Sequence, residues 1–228
     1  MIAEPVLQPV SKIHNGRISS FVALKKNYLF LKRSFDLLFS SLVILAVLSW
    51  MIPLLAILIP FTSRGPVFFL QKRIGRGGKT YTCIKFRTMI CNEEADHRPA
   101  SLNDERITAI GRFLRLSNID ELPQFFNVWL GNMSVVGPRP HMYSDCTRFT
   151  FVIPSYPFRH LVKPGITGWA QVNGFHGITV DYESIALRYY WDAQYVRRAR
   201  FSLDLSIIGK TILLTMKNIT LAMRKASA

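Results

Sequence analysis

The feature that most constrains the fold is an almost wholly apolar run from Leu37 to Phe61, whose only polar side chains are three serines. A helix needs about 20 apolar residues to cross a bilayer, and this run is longer than that. It starts too far into the chain, and continues for too long, to be a secretory signal peptide. The sequence therefore predicts a membrane helix over residues 32–62, preceded by an N-terminal extension over residues 1–31.

Positive charge flanks this run on both sides, and cations mark the cytoplasmic side of a membrane segment. Pro53 lies near the middle, where a proline removes one helical hydrogen bond and bends the axis, and Ser49 can bond a freed backbone group. We predict a re-entrant helix that breaks near Pro53 and returns to the cytoplasmic face. An ordinary kinked transmembrane helix is the alternative. The flanking cations are Lys25, Lys26, Lys32 and Arg33 before the run, and Arg64, Lys72, Arg73, Arg76, Lys79, Lys85 and Arg87 after it.

The amino-acid composition limits the kinds of molecule that this protein could bind. The chain has 29 Lys and Arg against 14 Asp and Glu, a net charge of +15. That charge attracts nucleic acid, anionic lipid or a phosphorylated substrate. A hydrophobic content of 49% excludes a disordered basic tail. The three cysteines have no metal-ligand spacing, which indicates reduced thiols in a cytosolic setting.

Residues 63–202 are typical of a small α+β catalytic domain on the cytosolic side of the membrane. Two strand-like segments flank Gly77-Gly78, and this pattern predicts a short β-hairpin. The second strand carries Lys85 and Arg87. These cations either bind phosphate or are ordinary exposed charges on a basic hairpin.

A second membrane contact is predicted at the C-terminal end, over residues 203–228. Apolar residues are abundant there, while Lys210, Lys217 and Arg224 recur every seven residues and so share one helical face. The pattern predicts an amphipathic helix with a short tail. Such a helix either lies on an anionic membrane or packs on the domain as a plain surface helix. The sequence leaves a homo-oligomer open.

Two adjacent carboxylates, Asp120 and Glu121, are the strongest candidates for chemistry. Pro123 is tolerated only in the first turn of a helix, so the pair should lie at or beside the start of a helix from Glu121 to about Leu130. Phosphate groups bind well at such a position, and a carboxylate pair there suits phosphoryl transfer. Simple helix capping is the alternative explanation.

Two further polar residues stand out downstream. Arg139 is flanked by Pro138 and Pro140, which hold it on a stiff backbone suited to bidentate phosphate contact, or merely form a rigid turn. Asp192 lies on a predicted helix capped by Asp181. An aspartate without a partner among aromatic residues is a weak sign of a site.

Several motifs, taken in order, resemble the bacterial sugar transferase family, the monotopic polyprenyl-phosphate phosphoglycosyl transferases. The resemblance covers about Lys32 to Ile219. One departure is Ile52, where the family often has serine before the central proline. The motifs run from Gln71 to Gly75, Lys85 to Met89, Ile119 to Gln124, Asn132 to Pro140 and Lys163 to Gly174.

The resemblance implies transfer of hexose-1-phosphate from a UDP-hexose, with glucose or galactose favoured, to undecaprenyl phosphate, releasing UMP. It also implies a covalent intermediate on Asp120 and a Mg²⁺ ion held by Glu121, with Asp120 as a further candidate ligand. Lys85, Arg115 and Arg139 would hold phosphates or the nucleotide, and the hairpin places Arg87 with them. Asp192 would assist near the metal.

The same resemblance implies a location on the cytoplasmic face of the bacterial inner membrane, in contact with anionic lipid. Two other functions compete. A catalytically silent scaffold of a polysaccharide export complex would not need intact Asp120 and Glu121. A membrane-anchored nucleic-acid binder would interleave its cations with exposed aromatic residues. Here the cations cluster beside the apolar run, so no nucleic acid is expected.

Overall fold

The computed structural model describes residue 21 and residues 25–91, 104–175 and 181–226. Most of the predicted N-terminal extension over residues 1–31 lies outside the described residues. Within them the chain combines helices with two small sheets, which confirms the α+β class. Each sheet has two strands.

The first element, α1, is a continuous helix over Lys26–Thr62. It contains one irregular turn, the π-helical segment Ile44–Leu48, where the Ser49 N–H donates to the Ile44 carbonyl. The Ser49 Oγ donates to the Leu45 carbonyl at 2.6 Å, so this serine bonds a backbone group as predicted. Pro53 itself stays within helical residues. The irregular turn thus lies upstream of Pro53, and the helix continues through the proline rather than ending there, so re-entry of the helix stays a prediction.

The outward face of α1 is a largely apolar stripe, on which Ser49 is also exposed. Among the described residues, α1 is the one helix long and apolar enough to cross a membrane. Its exposed apolar side chains are expected to face lipid rather than water at this length. The most exposed of them are Phe30, Leu38, Leu42, Leu45, Ile57 and Phe61.

The predicted hairpin is confirmed. Strands β1 (Phe68–Ile74) and β2 (Thr80–Phe86) pair in antiparallel register. A 3₁₀ turn over Arg76–Gly78 joins them, with φ of 69° at Gly77 and 77° at Gly78. Glycine adopts such angles without steric penalty, which explains the residue pair at this turn.

The remaining elements follow the hairpin in the chain. Two short strands among them, β3 (Ser134–Val136) and β4 (Gly165–Thr167), pair in parallel. The elements are α2 (Ala109–Leu116), a 3₁₀ turn (Ile119–Glu121), α3 (Gln124–Trp129), β3 (Ser134–Val136), α4 (Tyr143–Val152), a second 3₁₀ segment (Tyr156–Leu161), β4 (Gly165–Thr167), α5 (Trp169–Val172), α6 (Tyr182–Arg198) and α7 (Phe201–Ala226).

The predicted C-terminal helix is present as α7. Its first turns pack inward, where Asp204 and Ile207 are buried. Further along, Ile212, Leu213 and Met216 are exposed, so the apolar surface of the helix is only partly covered by the protein.

The main core includes α1 as well as the domain that follows it. Leu48, Leu55 and Ile59 of α1 belong to one buried cluster with Leu114 of α2 and Ile207 of α7. Close packing of this kind fixes the helix against its neighbours.

Polar contacts hold the first turns of α1 to the rest of the protein. Near its start, Asp204 of α7 accepts hydrogen bonds from Tyr28 and Lys32, each at 2.9 Å. Further along, Asp36 Oδ1 accepts from Ser134 Oγ and from the Val135 N–H, each at 3.0 Å. These buried bonds set the position of α1 relative to β3.

Candidate active site

Asp120 and Glu121 lie in the 3₁₀ turn between α2 and α3. Asn118 takes a φ of 57°, which allows the chain to reverse sharply after α2. Helix α3 starts at Gln124 with Pro123 as its cap, later than the predicted start at Glu121. The pair lies beside the helix start as expected. Because α3 is only six residues long, nearby cations rather than its dipole dominate the local field.

Glu121 is held by two cations. Lys85 Nζ lies 2.6 Å from Glu121 Oε1, and Arg139 Nη2 lies 2.7 Å from the same oxygen. Arg139 Nη1 also donates to Oε2 at 3.2 Å, so the arginine contact is bidentate. Burial alone would raise the pKa of Glu121, but Arg139 and Lys85 outweigh it and hold that pKa well below its ordinary value. Glu121 is therefore a fixed anion.

Asp120 is the opposite case. It is buried, and no described residue donates a hydrogen bond to its carboxylate. Burial, followed by the charge of Glu121, raises the pKa of Asp120 to about 6, although Lys85, Arg115 and Arg139 act in the other direction. The two neighbours thus differ in both hydrogen bonding and proton affinity. An uncommitted carboxylate of this kind is available to attack or to bind a ligand.

Arg115, on the last turn of α2, adds a third cation near Asp120. Its Nη1 is buried and has no hydrogen-bond partner in the described part of the chain. A buried donor without a partner costs free energy unless a ligand satisfies it. Together with Lys85 and Arg139, Arg115 gives the site three cations against two carboxylates, which favours an anionic ligand.

The structure brings Lys85, Arg115 and Arg139 to the carboxylates but not Arg87. The Arg87 guanidinium donates to the carbonyls of Ser63 and Arg64, each at 2.6 Å. It therefore binds the segment that directly follows α1. Its phosphate-binding role stays a prediction without a contact that supports it.

Asp192 was expected to lack a partner, and that expectation is wrong. Its Oδ2 accepts hydrogen bonds from Arg159 Nε at 3.0 Å and Nη2 at 2.8 Å. Both side chains are almost fully buried. The reason is non-local: Asp192 lies on α6, whereas Arg159 comes from a 3₁₀ segment far away in sequence, so no local pattern could pair them.

Sequence reasoning also missed two arginines behind Arg139. Arg159 Nη2 donates to the Arg139 carbonyl at 2.6 Å, and Arg73 Nη1 donates to the Pro140 carbonyl at 3.1 Å. Arg73 belongs to the Gln71–Gly75 motif and could have been singled out on that ground. Arg159 lies in no such motif.

The carboxylates of the site are compatible with a magnesium ion that takes only one or two ligands from the protein. Among the described residues no group of three His, Cys, Asp or Glu side chains surrounds a common point. Mg²⁺ is often held by only one or two carboxylates together with substrate phosphates and water. Asp120 and Glu121 fit that pattern, and the oxygens of Asp120 are the uncommitted ones.

Comparison with known proteins finds one family. The model of the bacterial sugar transferase family matches residues 27–218. A UDP-glucose:undecaprenyl-phosphate glucose-1-phosphate transferase of Xanthomonas campestris pv. campestris is 48% identical over 161 residues, which are 69% of this chain and 33% of that relative. The chain thus spans about a third of that relative's length.

Two further relatives are covered more fully. A protein of Caulobacter vibrioides with the same name is 40% identical over 190 residues, or 82% of this chain and 71% of the relative. The exopolysaccharide production protein PSS of Rhizobium leguminosarum bv. phaseoli is 42% identical over 190 residues, or 81% of this chain and 94% of the relative. With the carboxylate pair and its cations inside the matched region, the chain belongs to the bacterial sugar transferase family.

Proposed function

We propose that this protein transfers hexose-1-phosphate from a UDP-hexose to undecaprenyl phosphate, as a membrane enzyme that releases UMP. The observation that carries the proposal is the contrast within the carboxylate pair. Glu121 is fixed by Lys85 and Arg139, whereas Asp120 accepts no hydrogen bond from the residues that the structure describes and lies among three cations. A nucleophile beside a cationic phosphate site is what a two-step phosphoryl transfer requires.

In the first step, an Asp120 carboxylate oxygen attacks the β-phosphorus of the donor. The bond from that phosphorus to the oxygen bridging it to the α-phosphate breaks, and UMP leaves with the bonding electrons. Arg115 and Arg139 would bind the phosphate oxygens whose charge increases in the transition state. Lys85 would keep Glu121 in place beside them.

In the second step, an oxygen of undecaprenyl phosphate attacks the same phosphorus. The bond to Asp120 breaks, the carboxylate is restored, and polyprenyl diphosphate-hexose is the product. The lipid phosphate lies at the membrane interface, so the site must lie there too. The apolar stripe of α1 and the exposed apolar residues of α7 support such a position.

A Mg²⁺ ion is part of the proposal. Asp120 and Glu121 would hold it together with the phosphates of the donor. When bound, Mg²⁺ supplies Lewis-acid stabilisation of phosphate charge. Glu121, held by its two cations, gives such an ion a ligand of fixed position.

The proposed donor is UDP-glucose, with UDP-galactose as the other hexose to be tested. The names of the Xanthomonas and Caulobacter relatives specify glucose. The proposed location is the cytoplasmic face of the bacterial inner membrane, where nucleotide sugars are made. Exopolysaccharide synthesis is the proposed context, in line with the name of the Rhizobium relative.

The direct test is UMP release by the purified protein with a panel of UDP-sugars, with and without undecaprenyl phosphate and Mg²⁺. We expect release that depends on both lipid and metal with one hexose. Incubation with donor alone should give a protein mass increase equal to a hexose phosphate less one water, absent in Asp120→Asn. No release with any donor from a folded, lipid-reconstituted protein would favour the scaffold function instead.

A further inference from the structure

We propose that Arg73 and Arg159 form an arginine clamp that positions Arg139 by holding two consecutive carbonyls of its loop. They would be positioning residues and would not touch the substrate. The inference about turnover rests on the proposed function, while the inference about the loop rests on the geometry alone.

The loop over residues 138–141 has an unusual hydrogen-bonding pattern. Pro138 and Pro140 have no N–H, so this segment cannot form a regular strand ladder. Its carbonyls nevertheless all have donors. Gly165 N–H donates to the Pro138 carbonyl and Ile74 N–H to the His141 carbonyl, each at 3.0 Å. The two carbonyls between them accept from side chains instead, and both donors are arginines.

Arg159 provides the first of these bonds and is itself anchored. Its Nη2 donates to the Arg139 carbonyl at 2.6 Å and to Asp192 Oδ2 at 2.8 Å. Its Nε donates to the same carboxylate oxygen. Asp192 thus fixes the guanidinium plane, and the guanidinium fixes the residue that carries the Glu121 contact. Asp192 therefore acts through Arg159 rather than on a ligand.

Arg73 provides the second bond from the opposite side of the loop. It lies on β1, and its Nη1 donates to the Pro140 carbonyl at 3.1 Å. Its Nη2 donates to Gln71 Oε1 on the same strand. The hairpin that carries Lys85 therefore also holds the loop that carries Arg139, so both cations of Glu121 are positioned by one sheet.

The buried ion pair that anchors the clamp is expected to add little to the stability of the fold, which argues for a positional role. Buried ion pairs contribute little net stability because desolvation offsets their attraction. Here several arginines surround His141, whose pKa lies well below its ordinary value because of burial and of Arg159 and Arg188. An uncharged histidine adds no further positive charge. What the buried arginines supply is fixed geometry, since a misplacement of about 1 Å can cost about 100-fold in rate.

The test is a double-mutant cycle on kcat in lipid-reconstituted protein. Arg159→Lys keeps the charge beside Asp192 but cannot hold the carboxylate and the carbonyl together. We expect kcat to fall about 30- to 100-fold with KM changed by less than about threefold. In an Arg139→Lys background the same change should cost less than about threefold, because the two residues act as one unit. Arg198→Lys, at an exposed arginine on α6, is the control and should leave kcat unchanged.

Equal losses in both backgrounds would overturn the proposal, as would a single variant with wild-type kcat. Asp192→Asn, which weakens the anchor without removing Arg159, serves if Arg159→Lys does not fold. It should lower kcat about tenfold in the wild-type background only.

A second readout does not require turnover. Backbone amide exchange over residues 134–142 should rise in Arg159→Lys and in Asp192→Asn, while exchange in α2 stays unchanged. Unchanged exchange in this loop would overturn the clamp even if the proposed function holds. Faster exchange, with no turnover in any variant including the wild type, would confirm the clamp and reject the function.

Discussion

Asp120 and Glu121 are neighbours in the chain, but their surroundings separate their ionisation behaviour. Two cations keep Glu121 charged, whereas burial and the adjacent negative charge raise the pKa of Asp120 to about 6. Environments that push the pKa values of two carboxyl groups apart in this way assign the two groups different roles. Glu121 is suited to hold a ligand in place, and Asp120 is suited to react.

Replacing Asp120 by asparagine should separate function from stability. Asp120→Asn should abolish turnover, yet this variant should unfold at a higher temperature than the wild type at pH 8 in metal-free buffer. Ionisation of Asp120 destabilises the folded state because the pKa of Asp120 is raised there. Removing the charge should therefore add about 1–3 kcal/mol to the free energy of unfolding above pH 6. The gain should shrink as the pH falls from 6 to 4. Thermal unfolding across this range is the measurement, and an equal gain at every pH would contradict it.

Arg115 can be tested against a neighbour on the same helix. Arg115→Gln should lower kcat/KM for the UDP-sugar about tenfold, since a charge-assisted bond to phosphate is lost. Arg112→Gln changes an exposed arginine of α2 and should leave kcat/KM unaltered. Steady-state kinetics at saturating lipid distinguish them. Similar effects from both variants would mean that general positive charge, and not Arg115 itself, attracts the donor.

At the scale of elements, α1 depends on Asp36 for its docking. Asp36→Ala would leave Ser134 Oγ and the Val135 N–H buried without an acceptor, at a cost of about 2–4 kcal/mol. Asp36→Asn keeps an acceptor oxygen and should cost less than half as much. Protease resistance and thermal unfolding in detergent would measure both. If alanine and asparagine behave alike, the charge and not the hydrogen-bond geometry holds the helix.

Elements with local signals could be predicted from sequence, and those set by distant contacts could not. Gly77-Gly78 fixed the hairpin, and Asp181 correctly marked the start of α6, where it accepts from the Ser184 N–H. The start of α3 was placed too early, because Pro123 acts as a cap rather than as part of its first turn. The sequence predicted a bend near Pro53, whereas the irregular turn of α1 lies upstream of it, at Ile44–Leu48.

The same distinction applies to the site. Asp120, Glu121, Lys85 and Arg139 could be identified because each lies in one of the motifs of the sequence, whereas Arg115 lies outside these motifs and was implied by the family resemblance alone. The pairing of Asp192 with a distant arginine could not. Such a pairing depends on how α6 packs against the 3₁₀ segment, which no short stretch of sequence encodes.

For the whole molecule, the contacts at the two ends of α1 bear on its topology. The start of α1 is bonded to Asp204, and Arg87 binds the carbonyls just after its end. A helix of 37 residues is about 55 Å long, well beyond the roughly 30 Å of a bilayer core. Because one domain holds both ends, we expect both ends on one membrane face, as a re-entrant or interfacial helix requires.

Cysteine labelling tests this topology. Asn27→Cys and Arg64→Cys, each in a Cys91→Ser background, place a single exposed thiol in the first turn of α1 and just after its end; the other native cysteines, Cys83 and Cys146, are buried. An impermeant maleimide should label neither site in intact bacterial cells and both after permeabilisation. A periplasmic protein with an exposed cysteine is the control for reagent access. Labelling of either site from outside would establish a transmembrane crossing.

The packing of α1 also has a consequence for modularity. Leu48, Leu55 and Ile59 lie in the same buried cluster as residues from the rest of the chain. Burying each such side chain contributes about 1.5–3 kcal/mol, so a fragment starting after Thr62 would lack a substantial part of its interior. The helix is therefore not an interchangeable tether. Exchanging it for an unrelated membrane anchor would preserve attachment to the bilayer but not the fold.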